Sequence, residues 1–196
     1  MARRSEARTD ADLAFAATRG DREALEALLT RHVDRVYSVC RKICGPDDAH
    51  DATQNALISV TRSIERFDGR AAFTTWLHRI ATNAALDELR RRKRRPEPLA
   101  DDPNRDRDVA RAGSPTQPEH VVDRLDLDAA LGRLPEDFRV AVTLRDVADL
   151  DYSEIAETLS IPLGTVRSRI ARGRAALARD LGNFHPPANV QGHDHD

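Results

Sequence analysis

At 196 residues and 40% hydrophobic composition, the chain can bury one or two modest cores. Aromatic residues are only 4% and charged residues 33%, which favours helices over a β-sandwich, and a net charge of −2 confines any nucleic-acid binding to local basic patches. No apolar run approaches the ~20 residues that cross a bilayer, and the opening MARRSEARTD has no apolar core of a signal peptide, so a cytoplasmic protein without membrane insertion is expected.

Residues 1–11 are polar and expected to be disordered. From Asp12 to about Gly45, the spacing of Leu25, Leu28, Leu29, Val33, Val36, Cys40 and Ile43 predicts an amphipathic helix, either whole or preceded by a shorter one. Cys40 and Cys44 lie four apart on it. That spacing separates their Cβ atoms by about 6 Å, too far for an unstrained disulfide, so two small core residues are expected, with a thiol sensor as the alternative. Gly45-Pro46 ends the helix.

Asp47 or Asp48 is expected to cap the next helix, which runs to about Arg66 with Ala49, Thr53, Ala56, Val60 and Ile64 inward. Its outer face carries Asp51, Gln54, Asn55, Ile58 and Arg62. An isoleucine among outward polar residues suits a partner surface, although isolated exposed apolar residues are common. After a loop from Phe67 to Ala72, a helix from Phe73 to about Arg92 is expected to bury Phe73, Leu77, Ile80, Ala84 and Leu89. A second face aligns Trp76, Arg79, Asn83 and Arg90, and the helix ends in the basic run Arg90 to Arg95. An exposed tryptophan beside arginine and asparagine suits base stacking and phosphate contact on opened DNA. The alternative is a core tryptophan with cations placed favourably at a helix C-terminus.

Residues 96–122 are rich in proline and aspartate and lack periodicity, which marks a flexible linker. From Glu97 to Asp123 it holds seven acids against three bases. A helix from Asp123 to Leu134 follows, then Pro135, then a helix through Phe138, Val140, Ala141, Val142 and Leu144. In Asp151–Leu181, Asp151 and Glu154 form a capping-box pattern, Ser160-Ile161-Pro162 stops the first helix, and a second restarts near Leu163. On that second helix Val166, Ile170, Gly173 and Leu177 face inward. Ser168, Ala171, Arg172, Ala175 and Arg179 face outward, flanked by Arg167, Arg169 and Arg174. Small residues and arginines on the outer face of a helix behind a tight turn suit the major groove, which makes this a helix-turn-helix. Residues 183–196 read as a flexible tail whose alternating His193, Asp194, His195 and Asp196 are able to hold a metal only weakly.

The fold class is thus all-α: two small helical domains joined by a flexible acidic linker, the second containing the helix-turn-helix. With those residues in place, the chain resembles the extracytoplasmic-function (ECF) group of bacterial sigma factors over roughly residues 12–181. DDAHDATQNALISV resembles the helix that docks on the clamp helices of the RNA polymerase β′ subunit. FDGRAAFTTWLHRIATNAALDELRRRKRR resembles the segment that melts and reads the minus-ten element, and LPEDFRVAVTLRDVADLDYSEIAETLSIPLGTVRSRIARGRAAL the module that reads the minus-thirty-five element.

The resemblance implies a region 2 domain at 12–95, a linker at 96–122 and a region 4 domain at 123–182. It implies core RNA polymerase (β and β′ subunits), promoter DNA and an anti-sigma protein as partners. Asp51, Gln54, Asn55 and Ile58 would contact polymerase, although the family commonly has glutamate at Asn55. The loop Asp68 to Thr75, with Gly69, Arg70 and Phe73, would form the pocket for a base flipped from the non-template strand. Trp76 and Asn83 would support that pocket and the duplex edge just upstream, and Arg79 would belong to the same minus-ten surface. Arg90 to Arg95, with Arg90 and Arg91 foremost, would lie along phosphates. Arg167, Ser168, Ala171 and Arg172 match positions that approach bases, with Arg169 and Arg174 nearer phosphates and Thr165 within the same minus-thirty-five surface. Ala171 is smaller than the side chain often found there.

The sequence fits two other classes less well. A regulator acting without polymerase usually dimerises to span two half-sites, and no heptad or strong dimer face is evident. An enzyme acting on nucleic acid needs clustered carboxylates, a nucleophile–base pair or a phosphate-cradling glycine loop, and Asp47-Asp48 and Asp101-Asp102 stand in cap and linker contexts instead. Neither catalysis nor a cofactor is expected.

Overall fold

The computed structural model describes residues 8–94 and 127–182. The expected linker at 96–122, the tail, Arg95 and the first seven residues lie outside them. The described residues form α-helices and one short 3-10 turn, with no strand among them.

Helix α1, Asp10–Thr18, begins inside the stretch expected to be disordered. Thr9 and Asp12 form a reciprocal capping box, which satisfies the first orphan N–H groups. Gly20, at φ +92°, then turns the chain so that α2, Arg22–Cys44, starts afresh from Asp21, whose side chain accepts from Ala24 N–H. The expected shorter preceding helix is therefore present. Helix α3, Pro46–Ser63, is not capped by an aspartate side chain. Gly45, at φ +90°, makes the turn, Pro46 supplies the first helical position, and Asp47 and Asp48 sit in the first turn, where they complement the helix dipole.

A 3-10 turn at Ile64–Arg66 leads to the loop and then to α4, Phe73–Arg94. Packed against both α2 and α3, α4 buries a broader face than one stripe. Ala81 and Ala85 are fully buried and Ile80 and Ala84 only partly, so the inward register runs Phe73, Leu77, Ala81, Ala85, Leu89. His78, Thr82 and Glu88 go into the interior with it.

The second group begins with α5, residues 127–133, followed by α6, Glu136–Asp146, α7, Tyr152–Leu159, and α8, Leu163–Gly182. Asp151 caps α7 through Ser153 and Glu154 N–H, and the Glu154 side chain returns to Asp151 N–H, the box read from the sequence. Ser160, left-handed at φ +53°, ends α7 before Pro162 is reached. Val166, Ile170 and Gly173 of α8 are buried as expected. A Cβ at Gly173 would stand 2.6 Å from Val142 Cγ2 and 3.4 Å from Phe138, so glycine lets α8 approach α6 closely.

Helix α6 also packs on α2, and the buried core runs without a break from Val36, Val39 and Ile43 into Val140, Ala141, Leu144, Ile155 and Ile170. Nothing in the periodicity of either segment announces that joint. A smaller apolar cluster of Leu131, Leu134 and Val142 closes the far side of the second group.

Two buried features have measurable consequences. Burial pushes the Cys40 thiol up to about 11 and the Cys44 thiol up to about 12, and both are free. Thiolate, not thiol, is the nucleophile. The native protein is therefore expected to resist iodoacetamide at pH 8 and to take up two alkyl groups only after unfolding; prompt labelling of the folded protein in a mass spectrum would reinstate the sensor.

His78 is 1% exposed, and burial, reinforced by the charges of Arg35 and His32, pushes its imidazole down to about 4. The unfolded ring, with an ordinary value of 6.5, binds a proton more readily than the folded one. This contribution is complete above about pH 6.5 and is lost as pH falls toward 4. Between pH 7.5 and 5 the loss is about 2 kcal/mol. A His78→Met variant is expected to lose about 2 kcal/mol less than the parent protein over that interval in urea unfolding. Equal losses would show that His78 does not titrate with unfolding.

Candidate nucleic-acid and partner interface

Three surfaces collect the residues singled out by sequence. On α3, Asp51, Gln54 and Ile58 are exposed. Ile58, 39% exposed, lies in an apolar-lined groove of about 280 Å3 with Gln54, Leu57, Thr61 and Arg62. Asn55 does not join them. It is half-buried, and its Nδ2 donates to Glu88 Oε1 at 2.9 Å; Arg91 Nη1 donates to the same oxygen at 2.9 Å. A carboxylate 5% exposed needs such donors. Asn55 therefore ties α3 to α4, which is a structural task. Glu88 itself escaped the sequence reading, although its i, i+3 spacing to Arg91 was a signal.

The second surface is the loop between the 3-10 turn and α4. Asp68 Oδ1 accepts from Arg70 N–H at 3.1 Å and Gly69 takes φ +71°, so the loop folds back on itself. It forms one wall of a cleft of about 750 Å3, and Asp10, Phe15 and Thr18 of α1 form another. That α1 wall was not anticipated; Phe15, 63% exposed with the Arg19 guanidinium 4.3 Å over its ring, was its clue. Partial burial acts to raise the Asp10 carboxyl, but the hydrogen bonds and charges of Arg31 and His32 outweigh it and hold the group below its usual range. This fixes the wall to α2 through His32 Nε2, 2.7 Å from Asp10 Oδ2.

Phe73 is buried as expected and lines the floor of the cleft. One expectation needs correction on this surface. Trp76, expected to be exposed, is half-buried, its ring 5.4 Å from Phe67 and 5.9 Å from Phe73. Both rings gain apolar burial by joining this aromatic cluster. Arg70, Arg79 and Asn83 are exposed as expected. Arg90 pairs with Asp87 at 2.8 Å and Arg91 with Glu88, so part of the basic run is neutralised within α4.

The third surface is the outer face of α8. Arg167, Ser168, Ala171 and Arg172 are exposed and Thr165 is half-buried. Ser168 Oγ donates to Thr165 carbonyl at 3.0 Å. Arg169 Nη2 lies 2.6 Å from Asp137 Oδ2, and Arg174 is held by Asp146, with its Nε 3.1 Å from Oδ2. Acids of α6 thus occupy the flanking arginines. Among the described residues, Arg167 and Arg172 have no acid within ion-pair distance. No group of three or more His, Cys, Asp or Glu able to hold a metal occurs among the described residues, and none of their helices is long and apolar enough to cross a membrane.

Two stretches of the chain match known family models. Residues 28–95 match the model for Sigma-70 region 2, and residues 124–177 the model for Sigma-70, region 4. The ECF RNA polymerase sigma factor SigE of Mycolicibacterium smegmatis is 46% identical over 179 residues, covering 88% of this chain and 68% of its own. The ECF sigma-E factor of Haemophilus influenzae is 36% identical, covering 88% and 95%. This chain belongs to the ECF RNA polymerase sigma factors.

SigM of Mycobacterium tuberculosis, 37% identical over 94% of this chain and 90% of its own, is a further relative of this sigma factor. Its fold is shared by CnrH, solved in complex with the cytosolic domain of CnrY, at a TM-score of 0.66 and 24% identity over 88% of this chain and 97% of that one. The sigma factor RpoE of Bartonella quintana, solved with the anti-sigma factor NepR, aligns at a TM-score of 0.63 and 23% identity over 82% and 98%.

Proposed function

We propose that this sigma factor binds core RNA polymerase through the α3 groove, reads and melts the minus-ten element with the cleft and α4, and reads the minus-thirty-five element with α8. The observation that carries the reading is the separation of an apolar-centred groove around Ile58 from two distinct arginine-bearing faces on one chain. A regulator working alone has no use for the first, and a polymerase adaptor uses all three.

The division of labour follows residues 12–95 as region 2, 96–122 as linker and 123–182 as region 4. Asp51, Gln54 and Ile58 meet the β′ clamp helices, and the linker approaches the β and β′ subunits near the active site. The cleft bounded by Asp68, Gly69 and Arg70 takes a flipped non-template base, with Phe73 beneath it, and Trp76, Arg79, Asn83, Arg90 and Arg91 follow the strand. Thr165, Arg167, Ser168, Ala171 and Arg172 meet the major groove. Arg169 and Arg174 reach phosphate by exchanging their α6 partners for it. The protein binds and positions and does not itself catalyse, and it works in the cytoplasm beside polymerase. Unstacking costs a few kcal/mol per base and is offset by base capture and phosphate contacts, while tethering to polymerase gives each module a high effective concentration.

An anti-sigma protein that covers these surfaces is the regulatory partner; relatives of this fold are known in such complexes. Size-exclusion chromatography with purified core polymerase tests the reading: a one-to-one complex that a second sigma factor displaces is expected. Separate elution at micromolar concentrations would oppose it.

A further inference from the structure

We infer that the cavity at the C-terminal end of α2 is a binding site for a small phosphate-bearing anion of the phosphomonoester class. The cavity, of about 360 Å3, is lined by Arg41 and Lys42 of α2, Arg92 of α4, Arg139 of α6 and a single carboxylate, Asp128 of α5. Four cations from three helices thus meet around one acid. Acids are in slight excess over the whole chain, so this positive charge is a local concentration.

The one acid is already engaged. Asp128 receives Arg41 Nη2 at 2.8 Å and Lys42 Nζ at 3.1 Å. Among the described residues, Arg92 reaches only Asp48, at 3.7 Å, and Arg139 has no acid within ion-pair distance. Arg139 Nη1 donates to the Gly132 carbonyl at 3.1 Å instead. The Nε atoms of Arg41 and Arg139 are shielded from solvent and meet no acceptor among the described residues. Burial pulls the Arg139 guanidinium below its ordinary value, and Glu136 offsets this only in part. A solvated basic face keeps its N–H groups in water at no cost. Here two charged donors are withdrawn from water without a partner, and an anion between them relieves that penalty.

Phosphate fits these donors better than a carboxylate. A phosphomonoester carries nearly two negative charges at neutral pH and three strong acceptor oxygens, so it can answer guanidinium groups that converge from different helices. Ile43, Cys44, Pro46 and Leu89 add apolar wall to the same cavity, against which the organic part of an ester gains burial. The volume lies near the lower end of ligand pockets, which limits that part to a small ring or chain. The N-terminus of α3 opens here as well, but Asp47 and Asp48 occupy its first turn, so the side-chain cations carry the site. A ligand held by Arg41 and Arg139 together ties α2 to α6 and stabilises the folded protein by mass action. The factor then responds directly to the level of a phosphorylated small molecule. None of this depends on which surfaces meet polymerase or promoter DNA.

Calorimetric titration of the full-length protein with phenyl phosphate and with inorganic phosphate, in chloride at fixed ionic strength, tests the site. Both are expected to bind saturably at one to one, phenyl phosphate at least threefold tighter, and both should raise the thermal midpoint. Arg139→Met is expected to weaken phenyl phosphate at least tenfold. Arg22→Met removes the same charge from the exposed far end of α2 and should keep the parent affinity. If Arg139→Met fails to fold, Ala129→Phe replaces it: Ala129 is exposed and lines the cavity, so a ring there obstructs the anion without changing charge. Neither saturable heat nor a saturable rise in midpoint in the parent protein would overturn the site, whatever the variants do. Equal losses in Arg139→Met and Arg22→Met, or parent affinity in Ala129→Phe, would reduce the binding to general charge attraction and overturn it too. An unphosphorylated single-stranded 12-mer separates the sources of phosphate. It is expected to leave phenyl phosphate bound, and displacement would give the cavity to a nucleic-acid backbone and overturn the small ligand.

Discussion

Replacing Ile58 with aspartate is expected to weaken binding to core RNA polymerase by about 30- to 1,000-fold, or ~2–4 kcal/mol. Ile58 is the exposed apolar centre of the α3 groove, bordered by Leu57 and the polar chains of Gln54, Thr61 and Arg62. Energetic centres of interfaces are small, desolvated and ringed by polar groups, and an unpaired carboxylate driven into such a centre keeps its desolvation cost. The side chain already faces solvent, so the thermal midpoint of the free protein is expected to change little. A competition assay against a labelled sigma factor separates the two effects. Parent-like competition by the variant would remove the groove from the polymerase interface.

The second large effect is expected at Arg172. Its change to alanine should cost about 1–3 kcal/mol in minus-thirty-five recognition and relax base preference at one position. Arg169 supplies the contrast. Its guanidinium is already paired with Asp137, so DNA gains it only by exchange, and Arg169→Ala is expected to cost less than Arg172→Ala. Holoenzyme binding to promoter variants measures both. Equal losses, or a silent Arg172, would mean that α8 enters the groove in a different rotation.

What the sequence made legible was local. The Asp151–Glu154 box, the stop before Pro162 and the inward line Val166, Ile170, Gly173 depend on residues within a turn or two of each other, and each reappears in α7 and α8. The outward position of Ile58 follows from the same helical period. Where distant helices decide, periodicity fell short. Asn55 turns inward because Glu88, thirty-three residues later, needs a donor in a buried place. Trp76 is half-buried against Phe67 and Phe73, since large rings gain from mutual burial. Phe15 and Asp10 became part of the cleft only when α1 folded against α2 and the loop.

The packing of α6 on α2 belongs to the same class. Each helix shows an apolar face, and neither face names its partner. The residues that seal the joint, Lys42 with Asp128 and Lys93 with Glu136, are ordinary surface charges when read along the chain. Their meaning is tertiary, and with it comes the difference between a pair of tethered modules and a closed molecule.

The central claim is that the chain confers promoter-specific initiation on polymerase. Run-off transcription with purified core RNA polymerase on a random-promoter library, with and without the protein, tests it most directly. New start sites that share two spaced upstream elements are the expected result, and they would define the promoter in the same experiment. Specific duplex binding by the protein alone, with no start site that depends on it, would contradict the account and favour a regulator that acts without polymerase.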